Sequence, residues 1–213
     1  MAKAVLFDLD GVTIDTEPLY TIGEGRLFRE YGVVIPDEDW KLFRGISEDK
    51  FYSLSMEKYQ IKENPVLFRE KGRKYVLEAF ENNVKFMPGL LSLVQRIKPF
   101  FKIGLVTASP WEIFEWLDEQ LGIYKIFKNV LCGDAVSNPK PHPEPYLKMI
   151  ERLKITPKET VIIEDSIHGI NSGLAAGSNV IALTGSVPIS DIPKSALIIH
   201  HLDEISPEMI NSF

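Results

Sequence analysis

Asp8 and Asp10 follow the apolar run Ala4–Phe7, with Gly11 directly after them. In extended backbone, residues two apart point to the same side, so both carboxylates can face one ligand. Two carboxylates that close repel, and one takes up a proton unless a cation stands beside them. A hard divalent cation prefers oxygen ligands of this kind, and Mg²⁺ takes one or two protein carboxylates beside a phosphate. Taken alone, Asp-Gly after a strand also makes an ordinary turn. The spacing disfavours a calcium loop, whose D-x-[DN]-x-[DN]-G pattern needs a third oxygen residue before the glycine.

Other polar residues close later apolar runs. Thr107 ends the run 102–106, and Glu164 with Asp165 ends the run 160–163. Lys140 lies in N-P-K-P-H-P. Prolines on both sides restrict that backbone and remove two N–H donors, so the lysine can be aimed. Each residue has an ordinary reading: a strand-end hydroxyl satisfying backbone, acids favoured by a helix dipole, a solvated loop lysine. What joins them is their place at one edge of a sheet. In open α/β sheets, ligands bind just outside the carboxyl ends of the strands.

The run 4–7 reads as a strand buried on both faces. Further strands at 102–106, 128–131, 160–163, 179–183 and 196–199 alternate with helices at 89–97, 110–122, 146–153 and 167–176. This alternation predicts an α/β fold, a doubly wound parallel sheet of Rossmann-like type. Ser109-Pro110-Trp111-Glu112 has the pattern of a capping box with proline at the first helical position. Gly169, Gly173 and Gly177 repeat at helical spacing, which suits close packing of a helix on the sheet.

One block breaks the alternation. Helices are expected at 16–31, with Thr16 as cap, and at 37–43, 48–60 and 65–80, with no strand-like run between them. The block is too long for one crossover helix. We expect residues 1–15 and 83–213 to form the core and 16–82 an inserted helical cap, with hinges near 12–16 and 82–88. Such a cap would close over Asp8 and exclude water.

Bulk properties exclude several classes. The 213 residues are 45% hydrophobic and 25% charged, an ordinary globular composition. A net charge of −6 offers no basic field for nucleic acid. The lone Cys132, after Val130 and Leu131, reads as a small core residue and suits a reducing compartment. A strand that begins almost at Met1 leaves no room for a signal peptide, and no apolar run reaches the roughly 18 residues of a membrane helix. The expectation is a cytoplasmic monomer or weak homodimer, without nucleic-acid or membrane partners.

These residues also carry a resemblance. D-L-D-G-V, L-V-T-A-S, N-P-K-P-H-P-E-P-Y and I-I-E-D-S stand in the order of the four motifs of the haloacid dehalogenase superfamily. The chain resembles its branch of phosphatases and phosphomutases with a small helical cap, over essentially its whole length. The resemblance implies that Asp8 attacks phosphorus to form an aspartyl-phosphate. Asp10 would protonate the leaving alcohol and later deprotonate water. Mg²⁺ would be held by Asp8, Asp165 and the backbone carbonyl of Asp10. Thr107 would bond a phosphoryl oxygen, and Ser109 and the N–H groups near Ala108 would add donors. Lys140 would pair with Asp8 and the phosphoryl group. Glu164 would orient Lys140 or reach the metal through water.

Asp10 also separates branches of the family. Its true dehalogenases and phosphonatases lack aspartate there, and its ion pumps carry threonine, so Asp10 points to phosphate monoesters. Residues 44–50, R-G-I-S-E-D-K, are similar to the cap loop of β-phosphoglucomutases. Those mutases usually carry histidine where this chain has Tyr20 and arginine where it has Glu48; Arg44 or Lys50 would have to replace that arginine in gripping substrate. The expected activity is Mg²⁺-dependent hydrolysis of a small phosphorylated metabolite, with a sugar phosphate among the candidates. The alternatives are a phosphomutase of the β-phosphoglucomutase type and, more remotely, a catalytically silent binding protein.

Overall fold

The computed structural model describes residues Met1–Phe213. Six parallel strands form one sheet: β1 (Ala4–Phe7), β2 (Lys102–Val106), β3 (Val130–Leu131), β4 (Thr160–Glu164), β5 (Asn179–Leu183) and β6 (Leu197–Ile199), in the order β3-β2-β1-β4-β5-β6. All residues of β1 and β4 are buried, as expected for strands covered on both faces. Phe7 pairs in register with Leu105 of β2 and with Ile163 of β4. The next residue, Asp8, therefore emerges level with the ends of both neighbours. The strand order reverses direction between β1 and β4, which is the point where such sheets leave a crevice.

Alternation along the strands divides the core. Val5, Phe7, Ile103, Leu105, Val161 and Ile163 pack with α5 (Leu90–Ile97) and α6 (Trp111–Leu121) on one face. Ala4, Leu6, Ile162 and Val180 pack with α8 (Glu144–Leu153) and α9 (Ile167–Ala175) on the other. A Cβ on Gly173 would lie 2.9 Å from Val180 Cγ2, so that glycine does serve helix–sheet contact. Gly169 serves a different end: a Cβ there would overlap the carboxyl group of Glu164.

Helices α1 (Glu17–Glu30), α2 (Asp37–Phe43), α3 (Glu48–Lys58) and α4 (Pro65–Phe80) have an apolar cluster of their own, including Leu27, Phe28, Phe51 and Phe68. Phe28 meets Phe68 edge-on with centroids 5.3 Å apart, a favoured aromatic geometry. Gly23 lets α1 cross α4 closely, since a Cβ there would lie 2.6 Å from Val76 Cα. The two connections to the sheet run side by side. Asp15 N donates to Lys85 O at 3.1 Å, and Met87 N donates to Thr13 O at 3.0 Å.

Three local expectations need correction. Thr16 occupies the N-cap position of α1 but makes no capping bond. Helix α6 begins at Trp111 with Pro110 as its N-cap, and the Ser109 box does not form. Both hydroxyls bond Asp10 instead. A buried carboxylate is a stronger acceptor demand than a helix N–H that water can satisfy. The third strand spans only Val130–Leu131, and two short helices, α7 (Ile123–Ile126) and α10 (Pro207–Asn211), fall below the length at which periodicity is readable.

Candidate active site

Strand β1 delivers Asp8 to the sheet edge, where the Thr13 hydroxyl donates to its backbone carbonyl at 2.6 Å. Lys140 is buried, and its Nζ donates to Asp8 Oδ1 at 2.6 Å, Glu164 Oε1 at 2.6 Å and Val106 O at 3.2 Å. The ammonium also lies 5.1 Å from the centroid of the Tyr146 ring, a cation–π distance. Burial opposes charge on this amine, but Asp8 and Glu164 outweigh it and hold it protonated above its ordinary range. The proline-bounded segment thus does place its lysine.

Glu164 is saturated. Its Oε1 accepts from Tyr146 Oη at 2.6 Å as well as from Lys140, and its Oε2 accepts from Asp165 N, Ser166 N and Ser166 Oγ. Asp165 accepts the Ser186 hydroxyl. A Cβ on Gly11 would overlap Asp165, and its φ of +76° is one that glycine adopts freely.

Carboxylate oxygens of Asp8, Glu164 and Asp165 lie within 4.8 Å of one another. Burial first, then the charge of Glu164, pushes the Asp8 carboxyl well above its usual range, with Lys140 opposing. Burial, Glu17 and Asp8 do the same to Asp165. Three buried carboxylates against one ammonium leave the cluster short of positive charge. Glu164 has both oxygens occupied, so the acceptor capacity that remains belongs to Asp8 and Asp165. Such an oxygen set suits a hard divalent cation.

Asp10 stands apart from Lys140's bonds. Its Oδ1 accepts from Thr16 Oγ1 at 2.6 Å, and its Oδ2 from Ser109 Oγ at 2.9 Å and Thr107 Oγ1 at 3.4 Å. Burial raises its carboxyl, while the Thr16 and Ser109 hydroxyls lower it. Thr107 Oγ1 in turn accepts from Ser109 N at 2.9 Å. The sequence-expected floor of the site is therefore assembled: Asp8, Asp10, Thr107, Ser109, Lys140, Glu164 and Asp165 converge on one sheet edge, with Ala108 lining the same space.

A cavity of about 100 Å³ lies between this edge and the helices of residues 16–82. Arg44 lines it, but is engaged: its Nε lies 2.5 Å from Glu17 Oε2, and its Nη1 donates to Ser186 O at 2.7 Å. Its carbonyl lies 3.1 Å from His168 Nδ1. Gly45, with φ +72°, seats the same loop against Ser166, whose Oγ a Cβ would overlap. Lys50 is not in the cavity; it is exposed on α3 beside residues 138–143. Two residues along a helix turn about 200°, so Glu48 faces the cavity and Lys50 faces away.

Sequence reasoning missed several residues. Arg73 of α4 lines the cavity, gives Nε to Glu48 Oε1 at 2.9 Å and a second nitrogen to Oε2, and also reaches Glu112. Glu24, Tyr146 and Ser186 were equally unmarked. Tyr146 alone had a signal, as the last residue of N-P-K-P-H-P-E-P-Y.

Comparison with known proteins agrees with this geometry. A phosphorylated carbohydrates phosphatase of Thermotoga maritima is 33% identical over 177 residues, 82% of each chain. A phosphoglycolate phosphatase of Salmonella typhi is 29% identical over 207 residues, covering 85% of this chain and 81% of that one. Among solved structures, a β-phosphoglucomutase from Clostridium difficile superposes with a TM-score of 0.84 at 26% identity, over 100% of this chain and 96% of its own. A sequence model of the haloacid dehalogenase-like hydrolases matches residues 5–183, and with the four strand-end motifs on one edge the chain belongs to that family.

Proposed function

We propose that this protein is a Mg²⁺-dependent phosphatase of small phosphate monoesters that works through an aspartyl-phosphate on Asp8. The observation that carries this reading is the Asp8–Lys140–Glu164 chain at the sheet edge, with Asp10 two residues on and held separately by three hydroxyls. The phosphatase names of the Thermotoga and Salmonella relatives support it.

Asp8 attacks phosphorus, forming a carboxylate–phosphorus bond as the ester oxygen leaves. Asp10, whose burial favours a bound proton, gives that proton to the departing alcohol. It then takes a proton from the water that attacks the phosphoryl group, and Asp8 is released with inorganic phosphate. Lys140 favours the ionised form of Asp8 against burial and Glu164 and offers charge to the phosphoryl oxygens, while Glu164 fixes Lys140. Thr107, Ser109 and the N–H near Ala108 position the transferred group. Asp8, Asp165 and the Asp10 carbonyl would hold Mg²⁺, which would supply charge that lets a carboxylate approach an anionic ester. Residues 16–82 act as a cap on the paired connections at 13–15 and 85–87 and exclude water when seated.

No helix is long and apolar enough to cross a membrane. The reading is of a cytoplasmic enzyme of small phosphorylated metabolites. Its test is phosphate release from a generic aryl phosphate and from a panel of phosphorylated metabolites, with Mg²⁺. Absence of release from all of them would sink it.

The mutase reading has the Clostridium structure in its favour. Against it, Glu48 stands where a mutase would grip a second phosphate, and it is locked to Arg73. Loss of a charged contact is worth roughly 1.5–3 kcal/mol, or about ten- to hundredfold in affinity for a bisphosphate. With β-glucose 1-phosphate and glucose 1,6-bisphosphate as primer, we expect inorganic phosphate rather than glucose 6-phosphate. Efficient isomerisation with little phosphate release would promote the mutase.

A further inference from the structure

The roof of the cavity holds two arginines, and both are bonded. Arg44 is joined to Glu17 and to the Ser186 carbonyl. Arg73 is joined to Glu48 by two nitrogens and to Glu112. Glu24, on α1, lines the same cavity, is only 7% exposed, and forms no ion pair; the Tyr52 hydroxyl stands beside it. Burial, then the charges of Glu48 and Glu17, pushes its carboxyl well above the usual range. With no cation and only the Tyr52 hydroxyl beside it, this carboxyl keeps capacity for a hydrogen-bonding ligand in the cavity.

We infer that Glu24 is a specificity-determining residue that reads hydroxyl groups on the leaving alcohol, so that the substrate is a sugar or polyol carrying one phosphate and no second anionic group. The inference rests on the phosphatase reading above. A second phosphate or a carboxylate would enter a roof where three carboxylates, Glu17, Glu24 and Glu48, face two arginines already engaged. Seating it would break a two-nitrogen arginine–carboxylate pair, among the stronger polar contacts in proteins. A neutral alcohol can donate to Glu24 and Glu48 without disturbing either pair. Trp40 and Phe51 in the same wall supply apolar surface for ring carbons. A site built to bond hydroxyls discriminates strongly against analogues that lack them, because its own polar groups are then stranded.

The test measures kcat/KM with Mg²⁺ for four probes: a hexose 6-phosphate, the matching 1,6-bisphosphate, 2-phosphoglycolate and p-nitrophenyl phosphate. The wild-type protein should favour the hexose monophosphate over the bisphosphate and phosphoglycolate by about tenfold or more. In Glu24→Leu the ratio of hexose monophosphate to aryl phosphate should fall by about tenfold. Glu24→Gln, which keeps a hydrogen-bonding group, should hold that ratio within about threefold. A wild-type preference for the bisphosphate or for phosphoglycolate would overturn the inference. So would an unchanged ratio in Glu24→Leu. Glu24→Gln as damaging as leucine would mean that charge is read, and the leaving group would then be cationic. If Glu24→Leu does not fold, the wild-type ranking and the glutamine variant still decide. Aryl phosphate turnover without the sugar preference defeats this inference alone; no turnover of any probe defeats the phosphatase reading and this inference with it.

Discussion

At the sheet edge, Glu164 accepts five hydrogen bonds, from Lys140, Tyr146, Ser166 and two backbone N–H groups. In the roof of the same cavity, Glu24 is also buried but has no cation to pair with. The Lys140–Glu164 side of the floor is completed by its own chain, so Lys140 is held in place before any ligand arrives, and only Asp8 and Asp165 keep acceptor capacity for a cation. Such preorganisation suits a step common to every phosphate ester. The roof is completed only in part, and what it leaves open is where one ester differs from another. On the function proposed above, reaction and substrate choice would reside in separate elements: strand ends for the first, α1, α3 and α4 for the second.

The largest expected effect is on the floor. Asp8→Asn keeps the shape and an acceptor for Lys140 but removes the proposed nucleophile. Turnover of aryl phosphate should fall at least about 10⁴-fold at saturating Mg²⁺, for every substrate alike. A loss that differed between substrates would blur the line between floor and roof. Chelation comes next. EDTA should bring turnover to background and lower the melting temperature, and Mg²⁺ should reverse both. At a hundred times its Kd, a bound ion adds about 2.7 kcal/mol to stability. Asp165→Ala should lose most of the Mg²⁺-induced rise in melting temperature. Full activity of metal-free protein would refute the mechanism.

The roof should respond more gently. Gly45→Ala places a Cβ against Ser166 Oγ at a φ of +72°. The loop can then no longer seat on the core, and water enters the site. We expect aryl phosphate kcat to fall about ten- to hundredfold, while the thermal transition survives because the sheet clusters lie elsewhere. A fully active variant would show that seating of the 16–82 block is not required, and would separate the roof from the chemistry altogether.

The same division governed what the sequence disclosed. Parallel strands in register bring their ends to one line, so Asp8, Thr107, Glu164 and Asp165 could be grouped from apolar runs and their last residues. Lys140 was readable because two prolines leave its backbone little choice. The roof depends on how α1, α3 and α4 pack. Nothing local tells Glu48 that Arg73 stands across from it, and the helical turn that takes Lys50 out of the cavity is decided by where α3 begins. Thr16 and Ser109 failed for a related reason. Serine or threonine before a helix reads as a cap, yet a buried Asp10 from another segment claimed both hydroxyls.

The smallest effect asks what holds Lys140 within the floor: its loop, or its buried partners. Glu144 clamps the loop, accepting from Ser137 N, Asn138 N and Asn138 Nδ2, each at 2.8 Å, with Lys148 Nζ also 2.8 Å away. Lys148, then the Ser137 N–H and the Asn138 amide, lower its carboxyl from the ordinary 4.5 to about 2. A folded value below the unfolded one means that the clamp's contribution is complete above about pH 4.5 and is lost as pH falls through about 2. Glu144→Gln should therefore melt slightly below wild type at neutral pH, and the gap should close as pH is lowered through that window. Lys140 lies 2.6 Å from both Asp8 and Glu164, buried contacts in which Glu144 takes no part. Removing a partner from a buried ion pair costs about 3–5 kcal/mol, far more than an exposed clamp supplies. Turnover of Glu144→Gln at neutral pH should then stay within about twofold of wild type, and Lys140→Met should both destabilise and inactivate. Inactivation by Glu144→Gln with stability retained would mean that the floor is held by its loops, as the roof is by its helices, and the contrast between them would fail.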